Sequence, residues 1–156
     1  MPDGVKYLIG QQNRLKALLS QVPHRGPQGG MEELGMHIGA LASVHVTIEK
    51  ELVYPLLVEI EPDEAHRFHD EIHEALATVN ASPPGDPEMF AALQQLGDTL
   101  LPHFAEAEAR VYPALESLGA ERMEELGHQI YARQQELLKE HPDYVSPAAA
   151  IVQPVL

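Results

Sequence analysis

Apolar residues recur along this chain at intervals of three and four, the period of an amphipathic helix. Val5, Leu8, Leu15 and Leu19 share one face of a predicted helix over residues 4–22, with Asp3 placed to cap it. Gln12 lies in the middle of that face. The Pro- and Gly-rich stretch at 23–30, PHRGPQGG, predicts a loop. A second helix is predicted over 31–58, with Leu34, Ile38, Leu41, His45, Ile48 and Leu52 on its inner face. A third opens at Glu61-Pro62-Asp63 and runs to about residue 80, with His69, Ile72, His73, Leu76 and Val79 as its inner stripe. After a loop over 82–87, Asp86 and Pro87 start a fourth, which turns Leu93, Leu96, Leu100, His103, Ala107 and Val111 inward and is closed by Gly119. A fifth covers 121–139 with Met123, Leu126, Ile130, Leu137 and Leu138 as its stripe. The apolar end, HPDYVSPAAAIVQPVL, carries three prolines and cannot continue as one helix, so an extended strap is expected there. The expected fold is all-α: an antiparallel up-down four-helix bundle over 1–141, fifth helix included, with an extended tail over 142–156.

The polar residues on these apolar faces carry the chemistry. The stretch HVTIEKELVYPLL at 45–57 returns 58 residues later as HFAEAEARVYPAL at 103–115. Glu49 follows His45 by four residues, about 40° round the helix and about 6 Å further along, so both side chains can reach one ion. His69 and His73 are one turn apart and point the same way. Pro55 removes an N–H and should loosen the turn before it. Gln12 is either a core residue bonded to a neighbour or a group belonging to a buried polar site. An isolated HxxxE or HxxxH is a weak signal. Four inward His plus carboxylates on separate helices are a stronger one, because each buried polar group left unsatisfied costs about 1–3 kcal/mol and a metal ion removes that cost. The remaining imidazoles, His24, His37, His128 and His141, fall on loops or helix flanks and read as solvated, while His66 could back up a ligand.

Composition narrows the metal. The 156 residues include no Cys, which excludes disulfides, thiolate ligands and iron–sulfur clusters and leaves nitrogen and oxygen donors. Ten basic against 24 acidic residues give a net charge of −14, which repels phosphate backbones and argues against nucleic acid. No apolar run is long enough for a membrane span, and the start, MPDGVKYLIG, lacks a signal-peptide core; the expected location is cytoplasmic.

With these motifs the chain resembles the hemerythrin family, in its HHE-type, mycobacterial-type single-domain branch. His45-Val-Thr-Ile-Glu49, His69-Asp-Glu-Ile-His73 and His103 with Glu108 match the later parts of the family pattern, and the Tyr-Pro after two of the motifs is similar. The resemblance runs from about Tyr7 to Leu118, and EELGHQIYARQQELL resembles a fifth-helix extension. It implies two iron ions, oxo- or hydroxo-bridged. By position, one iron would take His69, His73 and His103, the other His45, with Glu49 and Glu108 as bridging carboxylates. The chain departs from the pattern where Gln12 replaces a first-helix His and where Ala107 stands four residues after His103, leaving Glu108, or else Glu106, to serve. Tyr54 is the candidate for the missing ligand, as a phenolate oxygen suited to ferric iron. Against it, an ideal helix points Tyr54 away from His45, and Tyr54 and Tyr112 also fit as amphipathic residues at the bundle end.

The expected function is a non-heme diiron protein, monomer or weak homodimer, that reacts with a small ligand: hydrogen peroxide, nitric oxide or dioxygen. If it is an enzyme, it consumes peroxide or nitric oxide in a catalase- or peroxidase-like manner. The alternatives are an iron- or oxygen-binding sensor or storage module without turnover, and a structural bundle holding one zinc.

Overall fold

The computed structural model describes residues 3–25, 31–60, 69–82 and 87–140, and among them there is no strand. Helix α1 spans Gly4–Leu19, and the Asp3 carboxylate accepts from the Lys6 N–H at 3.0 Å, the expected cap. A short turn, α2, follows at Val22–Arg25. Helix α3 (Met31–Ile48) runs into a π-helical turn over Glu49–Val53 and continues as α4 (Tyr54–Ile60). Helix α5 spans His69–Ala81. Helix α6 (Pro87–Glu106) runs into a second π turn over Ala107–Val111 and continues as α7 (Tyr112–Glu116). Helix α8 spans Ala120–Lys139. Helices α1, α3, α5 and α6 form the bundle, and α8 packs along α1 and α3 from outside. The result is the expected all-α bundle with a fifth helix.

Two apolar clusters fill the interior. One gathers Leu15, Leu18, Ile38, Leu41, Ile72, Val79, Leu93, Leu96, Leu100 and Phe104. The other gathers Val5, Leu8, Ile48, Val53, Leu57, Leu115, Met123, Leu126 and Ile130. On α1, Gln11 and Gln12 fall between Leu8 of one cluster and Leu15 of the other. His45 on α3, Glu49 at the start of the π turn that follows it, and His103 on α6 occupy the same level, so a polar layer divides the core.

The π turns are the local consequence of the repeated Val-Tyr-Pro. A proline cannot donate to the carbonyl four residues back, and its ring crowds that carbonyl. One residue earlier, the Tyr54 N–H therefore bonds to the Glu49 carbonyl, and the Tyr112 N–H to the Ala107 carbonyl, five residues back in each case. Such a turn accommodates one extra residue and rotates everything after it by about 100° relative to an uninterrupted α-helix. Leu52, expected inside, is accordingly half-buried, while Val53, Tyr54 and Leu57 are buried.

Other expectations change as well. The stretch predicted as a loop from residue 23 begins as the α2 turn, because Val22 is 2% exposed and docks into the core. His73, placed on the inner stripe of its helix, is exposed. The buried face of α5 is Ile72, Ala75, Leu76 and Val79, and His73 sits about 100° round from Ile72. Gly119 closes the α6–α7 segment with φ 103°, the left-handed region that favours glycine. The start of the third predicted helix, His66 and the tail over 142–156 lie outside the described residues.

Helix α8 approaches α1 so closely that a Cβ on Gly4 would overlap Cγ, Cδ2 and Cβ of Leu126. Gly4→Ala should cost about 1–3 kcal/mol in urea unfolding, because a rotamer change cannot move Leu126 Cβ. Gly35→Ala should cost less, since its Cβ meets the flexible Sδ–Cε end of Met89.

Candidate metal centre

Two imidazoles and one carboxylate converge in the polar layer. His45 is fully buried, and Glu49 and His103 are each 5% exposed. Glu49 Oε1 lies 2.6 Å from His45 Nε2, and Glu49 Oε2 lies 2.9 Å from His103 Nε2. One ligand atom from each of the three residues falls within 4.8 Å of the others, close enough to share one cation. The His45–Glu49 contact is short, yet its direction is not that of a hydrogen bond, and His45 Nε2 has no hydrogen-bond partner among the described residues. Two donor atoms packed side by side without a bond between them are what a pair of ligands to a common ion requires. Two imidazole nitrogens and a carboxylate suit zinc and the divalent transition metals, iron among them.

The orientation of His45 comes from its other nitrogen. His45 Nδ1 is 2.7 Å from Gln11 Oε1, and Gln11 Nε2 donates to Gln134 Oε1 at 3.1 Å. An amide oxygen can only accept, so Nδ1 carries a proton and donates it to Gln11, which leaves Nε2 as the nitrogen turned to the centre. Phe104 packs edge-on against His45, with ring centroids 5.6 Å apart, and keeps that side apolar.

Electrostatics tie the three groups together. Burial pushes the Glu49 carboxyl up, but the imidazoles of His45 and His103 outweigh it and hold the group well below its ordinary value of 4.5. For His103, burial pushes down, and the Glu49 charge outweighs it and raises the imidazole above its ordinary 6.5. Tyr54 is raised by burial and then by the Glu49 charge. Tyr112 is raised by burial, then by Glu49, Glu108 and Tyr54. Both phenols are therefore protonated without a cation, and a phenolate ligand requires a metal to displace the proton.

The sequence-predicted ligands divide accordingly. His45, Glu49 and His103 meet. Tyr54, which an ideal helix would turn away, is 9% exposed and within the field of Glu49, because the π turn rotates it back. Glu108 is not brought to this cluster; it lies at the surface and pairs with Lys16 at 3.0 Å. Glu106 is turned to Arg110 at 3.3 Å. Ala107, at the position where Glu49 stands in the first copy, is buried with no carboxylate to offer. His73 is exposed, and the side chain of His69 lies outside the described residues. Gln12 is fully buried and donates to the Tyr112 hydroxyl, while its Oε1 has no hydrogen-bond partner among the described residues. It is a member of the polar layer, not only a core residue. Sequence reasoning missed Gln11 and Gln134. Gln134 had a signal, a polar residue between Ile130 and Leu137 on the stripe of α8; Gln11, beside the more conspicuous Gln12, had none.

In the metal-free protein, the depressed Glu49 stabilises the fold above about pH 4.5, and that contribution is lost as pH falls. The raised His103 stabilises the fold below about pH 6.5, and that contribution is lost as pH rises. The stability difference between wild type and Glu49→Gln should therefore be largest between these two values and shrink on both sides, as read by urea unfolding of metal-stripped protein. Loading with a cation at about 100 times its Kd should add about 2.7 kcal/mol to wild type and much less to Glu49→Gln.

Comparison with known proteins accords with this geometry. The family model described as the hemerythrin HHE cation binding domain matches residues 3–115. No curated protein and no solved structure matches the chain. The match spans α1 to α7 and stops before α8. It covers all three converging ligands, and the chain belongs to the hemerythrin HHE cation-binding domain family.

Proposed function

We propose that this protein is a non-heme iron protein whose buried centre reacts with a small oxygen or nitrogen species, namely hydrogen peroxide, nitric oxide or dioxygen. The observation that carries the reading is the convergence of His45, Glu49 and His103 in a layer closed above and below by apolar side chains. Iron held by these two imidazoles and the carboxylate would supply one-electron chemistry towards a diatomic ligand or peroxide. The chain's own residues do the rest. The two apolar clusters flank the polar layer on both sides. Glu49, held anionic by its two imidazoles, keeps its oxygens available for coordination. Tyr54 and Tyr112 are neutral phenols near that carboxylate and can donate hydrogen bonds or protons into the layer.

The reading extends to two irons per chain. Tyr54 is the candidate phenolate ligand beside His45 and Glu49. His69 and His73 of α5 are the candidate imidazoles for the second ion, with Glu108 or Glu106 as its carboxylate; His73 and Glu108 lie at the surface without the ion and would have to turn inward to bind it.

Iron content of protein from iron-replete cells, with its visible spectrum, tests this directly. Two irons per chain are expected, and consumption of peroxide or nitric oxide by the loaded protein should exceed that of free iron. One iron per chain would confine the centre to His45, Glu49 and His103. Zinc in place of iron would overturn the reading, and iron without turnover would favour a sensor or store. His103→Ala should lose iron and melting temperature together. Tyr54→Phe should remove a visible ferric–phenolate charge-transfer band and leave the imidazole-bound iron in place. An unchanged spectrum would make Tyr54 an ordinary buried residue.

A further inference from the structure

Helix α8 lies beyond the stretch that matches the family, yet it reaches the centre. Gln134 is 1% exposed, and its Oε1 accepts from Gln11 Nε2 at 3.1 Å. Gln11, 3% exposed, presents its own Oε1 to His45 Nδ1 at 2.7 Å. The neighbouring Arg133 grips both oxygens of Glu51, at 2.7 and 3.0 Å, within the π turn that begins at Glu49. Adjacent residues of one outer helix thus reach His45, through Gln11, and the π turn that begins at Glu49.

We propose that Gln134 is a positioning residue for the cation centre: through Gln11 it holds the His45 imidazole with Nδ1 donating away from the centre and Nε2 turned to it. The proposal rests on His45 being a ligand. A side-chain amide has an acceptor on one side and a donor on the other. In the orientation the structure shows, Gln134 Oε1 faces the Gln11 nitrogen, and the Gln11 amide turns its oxygen to His45, so that Nδ1 carries a proton. Without an acceptor at 134, the Gln11 amide can rotate by half a turn. Its N–H then faces Nδ1, the proton moves to Nε2, and the ligand lone pair is lost. Removing a hydrogen-bonding group behind a metal ligand lowers metal affinity by about 10- to 100-fold, and a group one step further back falls at the lower end.

The test uses the full chain with Gln134→Met, which keeps the length but removes the acceptor, and Gln134→Glu, which keeps an acceptor oxygen in either protonation state. Ferrous iron affinity is measured anaerobically by competition with a chromophoric chelator. The His45 tautomer is read in metal-free, nitrogen-15-labelled protein from two-bond imidazole correlations. Q134M should bind ferrous iron about 10-fold more weakly and shift His45 towards the Nε2–H form, and Q134E should restore both. Wild-type affinity and tautomer in Q134M would overturn the proposal, as would a Q134E variant that binds as weakly as Q134M. His45→Ala separates the two levels. If it loses iron while Q134M does not, the relay alone fails; if it keeps wild-type affinity, the assignment of His45 fails and the relay with it.

Discussion

A carboxylate buried between two imidazoles is the constraint around which this bundle is arranged. Glu49 at 5% exposure would be expensive as an isolated charge, and the cost is offset only because His45 and His103 face it from two helices. Neither helix can slide or rotate without uncovering that charge. The layer therefore fixes the register of α3 against α6, and the apolar clusters on either side pack outward from it. A buried ion pair of this kind is weak evidence for stability in itself. Its retention makes sense where a cation takes over the role of the missing protons.

The two Val-Tyr-Pro segments show how a backbone irregularity serves such a layer. Each proline displaces the hydrogen bond before it to the carbonyl five residues back, and the extra residue turns a tyrosine towards the core. The copies then diverge. The first places Glu49 in the layer, and the second places Ala107 there while sending Glu108 out to Lys16. Tyr54 and Tyr112 share a register position but differ in surroundings, since Gln12 donates to Tyr112. The repeat is symmetric in backbone and asymmetric in ligands. An asymmetric layer offers unequal positions to whatever it binds.

Helix α8 adds a second level of control. It closes tightly on α1 at Gly4, buries Gln134 beside Gln11, and clamps the π turn through Arg133. The family match ends before this helix. A site built on α3, its π turn and α6 is thereby contacted, through Gln11 of α1, by a further helix that supplies no ligand of its own.

The bundle, its fifth helix and the pairing of His45 with Glu49 were legible in the sequence, because apolar period and i,i+4 spacing are local properties of a helix. The repeated His and the Val-Tyr-Pro after it also marked the two walls of the site, and Pro55 announced a loosened turn. What spacing could not say was how far that turn would rotate the residues after it. That rotation decided that Tyr54 comes in. Nor could spacing tell which side of its helix His73 would occupy once Ile72, Ala75 and Val79 had chosen the core. The pairing of Glu108 with Lys16 depends on a contact between α1 and the second π turn, residues 92 positions apart. The Gln134–Gln11–His45 relay joins three helices, and its first link spans 123 positions. Hydrogen bonds of this reach leave no periodic trace in the chain, since they are made by packing and not by the helix that carries each residue.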